Sequence, residues 1–244
     1  MRARVRALAR DIFHRLPDHV QTRLRRMRHR VRWGSLRRLS PVDGNYGYGR
    51  GTPVGRWYVG EFVAQHEDDI GGRVLEVGDP TYTAARQDRI DRLDILDIDP
   101  ENLDATIVVD LADERSLPTG AFDCVIVTQT LQYTRDLDTS IENIWQSLRP
   151  GGVALITLPA SARRDNGFAD IDRWRVLPAG LATMLERACS GAEIAVGSQG
   201  NVLAATAAVQ GIAAEELRAG ELEAHDETFP IVTWARLRKP PEPN

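Results

Sequence analysis

Apolar residues change their spacing twice along the chain. Val5, Leu8, Ile12 and Leu16, then Val20, Leu24, Met27 and Val31, recur at three- and four-residue steps, the helical period. They predict two amphipathic helices with Arg on the other faces, the second opened by Pro17 at its first position. Residues 40–56, SPVDGNYGYGRGTPVGR, lose all period and are dense in Gly, Pro and Tyr, which reads as a linker or surface loop. A helix over Trp57–Glu67 follows, and then short apolar runs alternate with helical ones. Arg73–Val77, Leu93–Ile98, Thr106–Val109, Phe122–Thr128 and Val153–Leu158 read as strands, and Glu193–Gly197 and Ile231–Leu237 add two more. Leu137–Leu148 reads as a helix halted by Arg149-Pro150-Gly151-Gly152. Strands alternating with helices predict an α/β protein with a mostly parallel sheet covered on both faces.

Composition adds a division to this picture. Residues 1–38 hold thirteen Arg and two Asp, while the whole chain has a net charge of −4, so residues 39–244 carry −15. A basic helical arm (1–38) preceding an acidic α/β domain (39–244) is the expected organisation. No apolar core of signal-peptide kind follows the Arg residues, and no run reaches the ~18 residues of a membrane span. Two cysteines, Cys124 and Cys189, with no Cys-x-x-Cys fit a reducing, cytoplasmic setting, membrane-peripheral if the arm meets lipid. The arm has three readings: docking on a protein partner or second subunit, lying on an anionic membrane surface, or holding nucleic acid. The last is least supported, because only Phe13 and Trp33 are available to stack on bases.

In an open parallel sheet, ligands bind beyond the carboxyl ends of the strands. The first strand runs into Glu76-Val77-Gly78-Asp79-Pro80-Thr81-Tyr82, and the second into Asp97-Ile98-Asp99-Pro100. Asp97 lies 19 residues past Gly78, where a nucleotide fold places a carboxylate against ribose hydroxyls. The third strand ends at Asp110-Leu111 and the fourth at Thr128-Gln129-Thr130-Leu131-Gln132-Tyr133. The plainer readings are that Asp97 is a helix-cap or turn residue, that Asp110 caps a short helix that follows it, and that Gln129 and Gln132 satisfy backbone at a strand end. Asp79-Pro80 reads as a helix N-cap followed by proline at the first helical position. Trp174 reads as a packed lid residue and Cys124 as inert packing. No His, Cys or carboxylate spacing suggests a metal site.

Leu117-Pro118, Phe122-Asp123-Cys124-Val125 and Leu148-Arg149-Pro150-Gly151-Gly152 together resemble the class I S-adenosylmethionine-dependent methyltransferases, over roughly Arg73–Pro159. Arg50, Gly51, Pro53, Arg56, Tyr58 and Phe62, with Thr128–Tyr133 and Gly200–Ala205, resemble more closely bacterial methyltransferase-like domains of the kind found near glycosyltransferases. The resemblance implies a Rossmann-like, seven-stranded, mostly parallel sheet and S-adenosylmethionine as cofactor. It implies that Glu76 and Gly78 lie against the methionine end, with Asp79 and Tyr82 also binding the cofactor. It puts Asp97 on the ribose, Ile98 against the adenine, Asp110 and Leu111 on the adenine amino group and ring, and Gln129 and Thr130 under the methyl donor. The implied activity is methylation of a small-molecule acceptor, a hydroxyl of a sugar or natural product. Asp172, His225 and Asp226 are candidates for the base only by position. The alternative is a non-catalytic module that docks in a larger assembly through its basic arm, in oligomeric form or not. The first turn has one glycine where the family has three. That leaves open whether hydroxyls of Thr81, Tyr82 or Thr83 replace backbone contacts or the cofactor site is lost. A nicotinamide-dependent oxidoreductase is disfavoured, since no G-x-G-x-x-G turn opens a helix.

Overall fold

The computed structural model describes residues 13–28 and 31–242, and the chain divides into two compact units, Met1–Leu39 and Ser40–Asn244. In the first unit, α1 spans Asp18–Arg28. The Pro17 carbonyl accepts hydrogen bonds from the amides of Val20 (2.9 Å) and Gln21 (3.0 Å). Pro17 therefore stands just outside the helix. Asp18 in the first turn and Arg25, Arg26 and Arg28 in the last complement the helix dipole. Leu24, Met27, Val31 and Trp33 are exposed. Of the first expected helix, Val5, Leu8 and Ile12 lie outside the described residues.

The second unit is built on seven strands: β1 Gly72–Val77, β2 Ile90–Asp97, β3 Ile107–Val108, β4 Phe122–Thr128, β5 Leu148–Pro159, β6 Glu193–Gln199 and β7 Val232–Arg238. Their order is β3-β2-β1-β4-β5-β7-β6, and β7 runs antiparallel to both its neighbours. The expected Rossmann-like sheet is present. Its helices are α2 Val54–Gln65, α3 Leu137–Ser147, α4 Pro178–Ala188, α5 Val202–Gln210 and the short α6 Ala219–Glu223.

Alternation along the central strand explains the layers. Val125 and Val127 of β4 face a core shared with Ile141 and Ile144 of α3 and Leu181 and Leu185 of α4. Cys124 and Ile126 face the opposite core, shared with Phe62 and Val63 of α2. Leu137, Ile141 and Ile144 recur at the helical period, and Asp136 caps α3 by accepting a hydrogen bond from the Thr139 amide. The Pro-Gly-Gly sequence that ends α3 does not form a loop before β5. Strand pairing already begins at Leu148, opposite Phe122, and the register shifts before Val153 meets Cys124. A Cβ on Gly152 would come within 2.9 Å of the Arg149 and Phe122 carbonyl oxygens, so this crossing needs glycine.

No α-helix follows β1, β2 or β3. The links 78–89, 98–106 and 109–121 are turns and short 3-10 segments, so at this half of the sheet the carboxyl ends carry loops only. Up to Pro53 the 40–56 stretch is the surface loop, not the linker. The amides of Val42 and Asp43 donate to the Gln210 carbonyl, Thr52 is held by Glu215, and Arg50 pairs with Glu216. Gly211 allows this, because a Cβ there would strike the Asp43 carbonyl oxygen at 2.2 Å. No helix among the described residues is long and apolar enough to cross a membrane.

Candidate functional site

The loop after β1 is organised by one buried carboxylate. Glu76 is 2 % exposed and accepts hydrogen bonds from the Tyr82 amide (2.8 Å), the Thr83 amide (3.1 Å) and the Thr83 hydroxyl. Burial raises its pKa against the pull of those three donors. This corrects the expectation of a helix capped by Asp79. The amides that would open such a helix are turned back onto Glu76, and residues 81–85 form turns. Asp79 instead bonds the Thr81 hydroxyl. Thr83 is fully buried, so its hydroxyl cannot replace a backbone contact to a ligand. Gly78 adopts φ +88°, and a Cβ there would meet nothing within 4 Å. Its amide donates to Leu96 (2.8 Å), and its carbonyl accepts from the Asn102 side chain (2.8 Å). The single glycine of the turn is thus held in a left-handed conformation beside open space.

Two cavities flank this turn. The smaller, about 350 Å³, is walled by Val77, Leu96, Ile98, Val109, Leu111 and Leu131, with the carboxylates of Asp97 and Asp110 also lining it. Asp97 accepts one local hydrogen bond on each oxygen, from the Asp99 amide (3.0 Å) and the Asn102 side chain (2.6 Å). Asp110 accepts from the Ala112 amide (2.8 Å) and pairs with Arg135. For Asp97 the turn reading and the crevice-lining reading therefore both hold, whereas Asp110 lines the crevice but caps no helix, since only turns follow β3. Each carboxylate oxygen has a second lone pair for a ligand. Ile98 is 66 % exposed at the rim. Thr130 lines the floor, its hydroxyl donating to the Thr128 carbonyl (3.0 Å).

The larger cavity, about 620 Å³, adjoins the first, and Val77, Tyr133 and Phe168 line both. Glu76, Gly78, Asp79, Tyr82, Gln129 and Gln132 form its inner wall, and Tyr46, Tyr48 and Arg56 close one side. Tyr82 does not plug it. Its ring packs on the cores beneath α2, where burial raises the phenol pKa despite Arg56 and the Thr128 hydroxyl. Gln129 has φ +47° and Tyr46 φ +58°, conformations uncommon outside glycine, and both side chains line this cavity. Gln129 is fixed by its amide to the Thr157 carbonyl (2.9 Å), and its own carbonyl accepts from Gln132 (2.7 Å).

Of the three candidate bases only Asp172 lines the larger cavity. Asp172 is sealed by Arg175 through two hydrogen bonds, 2.6 and 2.7 Å, which lower its pKa. Asp226 is engaged by Thr228, and neither His225 nor Asp226 lines either cavity. Trp174 packs on the main core, its indole donating to the Thr134 carbonyl (2.8 Å). Cys124 is fully buried, and burial drives its pKa upward. Among the described residues no group of three His, Cys or acidic side chains could hold a metal ion.

Spacing also missed a pair. The Tyr133 hydroxyl donates to Asp165 at 2.8 Å, and both line the larger cavity. Arg56 lines it too. It makes no ion pair among the described residues, only long hydrogen bonds to Tyr48 (3.4 Å) and Thr81 (3.3 Å). The usable signals were the tyrosines within the glycine-rich 40–56 stretch and the strand-end Tyr133. Nothing in the sequence pairs Tyr133 with a residue 32 positions on. An apolar slot with two carboxylates, beside an open glycine and a chamber lined by Arg56 and Asp79, fits a nucleoside linked to a zwitterionic amino acid.

Comparison with known proteins agrees. Residues 78–156 match a family described as "Methyltransferase domain". No curated protein matches the sequence. The chain is similar to an S-adenosylmethionine-dependent methyltransferase from Mesorhizobium loti (17% identity, covering 74% of this chain and 98% of that one, TM-score 0.52). It is also similar to the N-methyltransferase NodS from Bradyrhizobium japonicum WM9 in complex with S-adenosyl-L-homocysteine (16%, 82% and 95%, 0.51). A third neighbour is the 4+2 cyclase SpnF (20%, 79% and 84%, 0.51). At these identities the neighbours share the fold, and the presence of a cyclase means the fold alone does not fix the reaction.

Proposed function

We propose that this chain is a class I methyltransferase that uses S-adenosylmethionine and that it methylates a small-molecule acceptor in the larger cavity; the match of residues 78–156 to a methyltransferase domain supports this. When bound, the cofactor supplies a methyl group already activated by a positively charged sulfur. The chain's own residues hold and orient. Asp97 accepts the ribose hydroxyls with the lone pairs its local partners leave free, and Ile98 and Leu111 cover the adenine. Asp110 accepts from the adenine amino group. Gly78 admits the methionine chain, Arg56 takes its carboxylate and Asp79 its ammonium, within the wall completed by Tyr82. Glu76 acts one step removed, holding the loop that presents these groups. Gln129 and Thr130 form the floor under the methyl group. Holding donor and acceptor in line is the main catalytic contribution, of the kind that recovers about 7–11 kcal/mol in well-oriented pairs.

One observation carries this reading: Val77, Tyr133 and Phe168 line both cavities, so a ligand anchored by Asp97 and Asp110 in the first lies beside the second, next to Gly78. Calorimetric titration with S-adenosylmethionine and S-adenosylhomocysteine tests it. The expected dissociation constants lie between about 1 μM and 1 mM, the usual span for enzyme ligands, and an absence of heat with either compound at millimolar concentration overturns it. The missing helix after β1 favours a second reading, a methyltransferase-like module that docks through its basic arm without turning over. Binding of cofactor with no methylated product for any acceptor would select it.

A further inference from the structure

Most of the smaller cavity is built from residues between Val77 and Arg135, at the carboxyl ends of β1 to β4. Phe168, Ile171 and Arg173 are added from the link between β5 and α4, and of these only Phe168 lines the larger cavity as well. Phe168 is 56 % exposed. Its ring meets that of Tyr133, with centroids 5.2 Å apart and planes tilted by 51°.

Polar contacts close the turn that carries this ring. The Asp165 amide donates to the Asp172 carboxylate at 2.7 Å, and Arg175 holds that carboxylate in turn. The Phe168 carbonyl accepts from the amides of Ile171 (3.0 Å) and Asp172 (2.9 Å). The Asp165 side chain accepts from the Gly167 amide and the Tyr133 hydroxyl, both 2.8 Å. Arg173 fastens the same link by donating to the Tyr133 and Ile171 carbonyls, both 2.8 Å. A large apolar ring is thus held half exposed where two cavities meet its edges. Held there, it forgoes burial that a planar base laid against it would supply.

We propose that Phe168 is a cofactor-binding residue that covers the nucleoside, and that Asp165 is a positioning residue that sets this ring from the acceptor side. This rests on the methyltransferase reading above. The nucleoside is the part covered, because the slot that Phe168 shares is walled by Val77, Leu96, Val109, Leu111 and Leu131, which suit a heteroaromatic base and not a zwitterion. Asp165 lines only the larger cavity, yet its turn carries a ring that belongs to both. A change at Asp165 is therefore felt at the cofactor. The coupling is reciprocal, so an acceptor that keeps the turn in place and the cofactor each raise the affinity of the other.

The experiment uses the full chain and S-adenosylhomocysteine. Calorimetry on Phe168→Ala should show at least a tenfold loss of affinity, Phe168→Leu a smaller loss, and Phe168→Trp little change. Phe229→Ala removes another exposed ring, away from both cavities, and should bind like the unaltered chain. With 4-fluorophenylalanine at position 168, a fluorine–proton Overhauser effect should reach the adenine or ribose protons of the bound ligand. Asp165→Ala should weaken binding at least threefold in the unaltered background and not at all in Phe168→Ala, because the two act through one ring. Unchanged affinity in Phe168→Ala, or a formed complex without that Overhauser effect, overturns the role of Phe168. No effect of Asp165→Ala, or an equal effect in both backgrounds, overturns the coupling. Failure of S-adenosylhomocysteine to bind the unaltered chain would instead strike the underlying reading.

Discussion

At the residue scale, the chemistry turns on groups that have already met their local obligations and still face a cavity. Asp97 and Asp110 were legible in the sequence because a carboxylate directly after a parallel strand lands at the crevice whichever local bond it also makes. The Tyr133–Asp165 pair was not, since a contact between residues 32 positions apart is a property of the folded neighbourhood. Gly78 gives the most direct test at this scale. An alanine there carries the cost of a left-handed conformation, about 1–2 kcal/mol, and sets a methyl group into the space a cofactor would use. Gly120 is the control. It has φ +59° and open space around its Cβ position, but lies before β4, away from both cavities. Both Gly78→Ala and Gly120→Ala should lower the melting temperature. Only Gly78→Ala should weaken S-adenosylhomocysteine binding, by tenfold or more in calorimetry, and equal weakening in the two would refute a cradle at Gly78.

At the scale of elements, strands and the β4–α3–β5 unit were readable because burial fixes their period: β4 matches its expected bounds, and α3 differs by one residue. The link after β1 was misread for a definite reason. Asp79-Pro80 has the local chemistry of a helix start, but buried Glu76 offers the following amides a better acceptor than the next helical turn would. The sequence leaves the 40–56 stretch between linker and surface loop, because glycine and proline density signals irregular backbone without saying what that backbone rests on. It rests on a carboxylate clamp. Arg50 and the Ala213 amide lower the Glu216 pKa to about 2 from an ordinary 4.5. A carboxylate with a depressed pKa contributes its stability fully above its ordinary value and loses it as the pH falls towards the folded one. The strap should therefore loosen between about pH 4.5 and 2, and Glu216→Gln should loosen it at neutral pH. Hydrogen exchange at residues 47–52 reads this after correction for intrinsic rates. Unchanged protection there in Glu216→Gln would mean that Thr52–Glu215 alone secures the strap.

At the scale of the molecule, charge is divided more sharply than fold requires. An arm of +11 precedes a body of −15, and the body's buried cores are all drawn from residues beyond Ser40. On α1 and the residues after it, Leu24, Met27, Val31 and Trp33 remain exposed among the arginines. That combination suits an anionic interface. Each Arg near an anionic bilayer contributes about 1 kcal/mol, the apolar side chains add burial, and salt screens the first term but not the second. The acidic body gains nothing from such a surface, so attachment should reside wholly in the arm. The full chain should sediment with phosphatidylserine-containing vesicles and not with phosphatidylcholine alone, lose most of that binding at 0.5 M salt, and lose all of it on removal of residues 1–38. S-adenosylhomocysteine affinity should survive the same truncation, since every residue assigned to that ligand lies between Arg56 and Phe168. If vesicles fail to sediment the full chain and truncation instead halves its mass in solution, the arm joins subunits, and its arginines answer to the acidic body of a second copy.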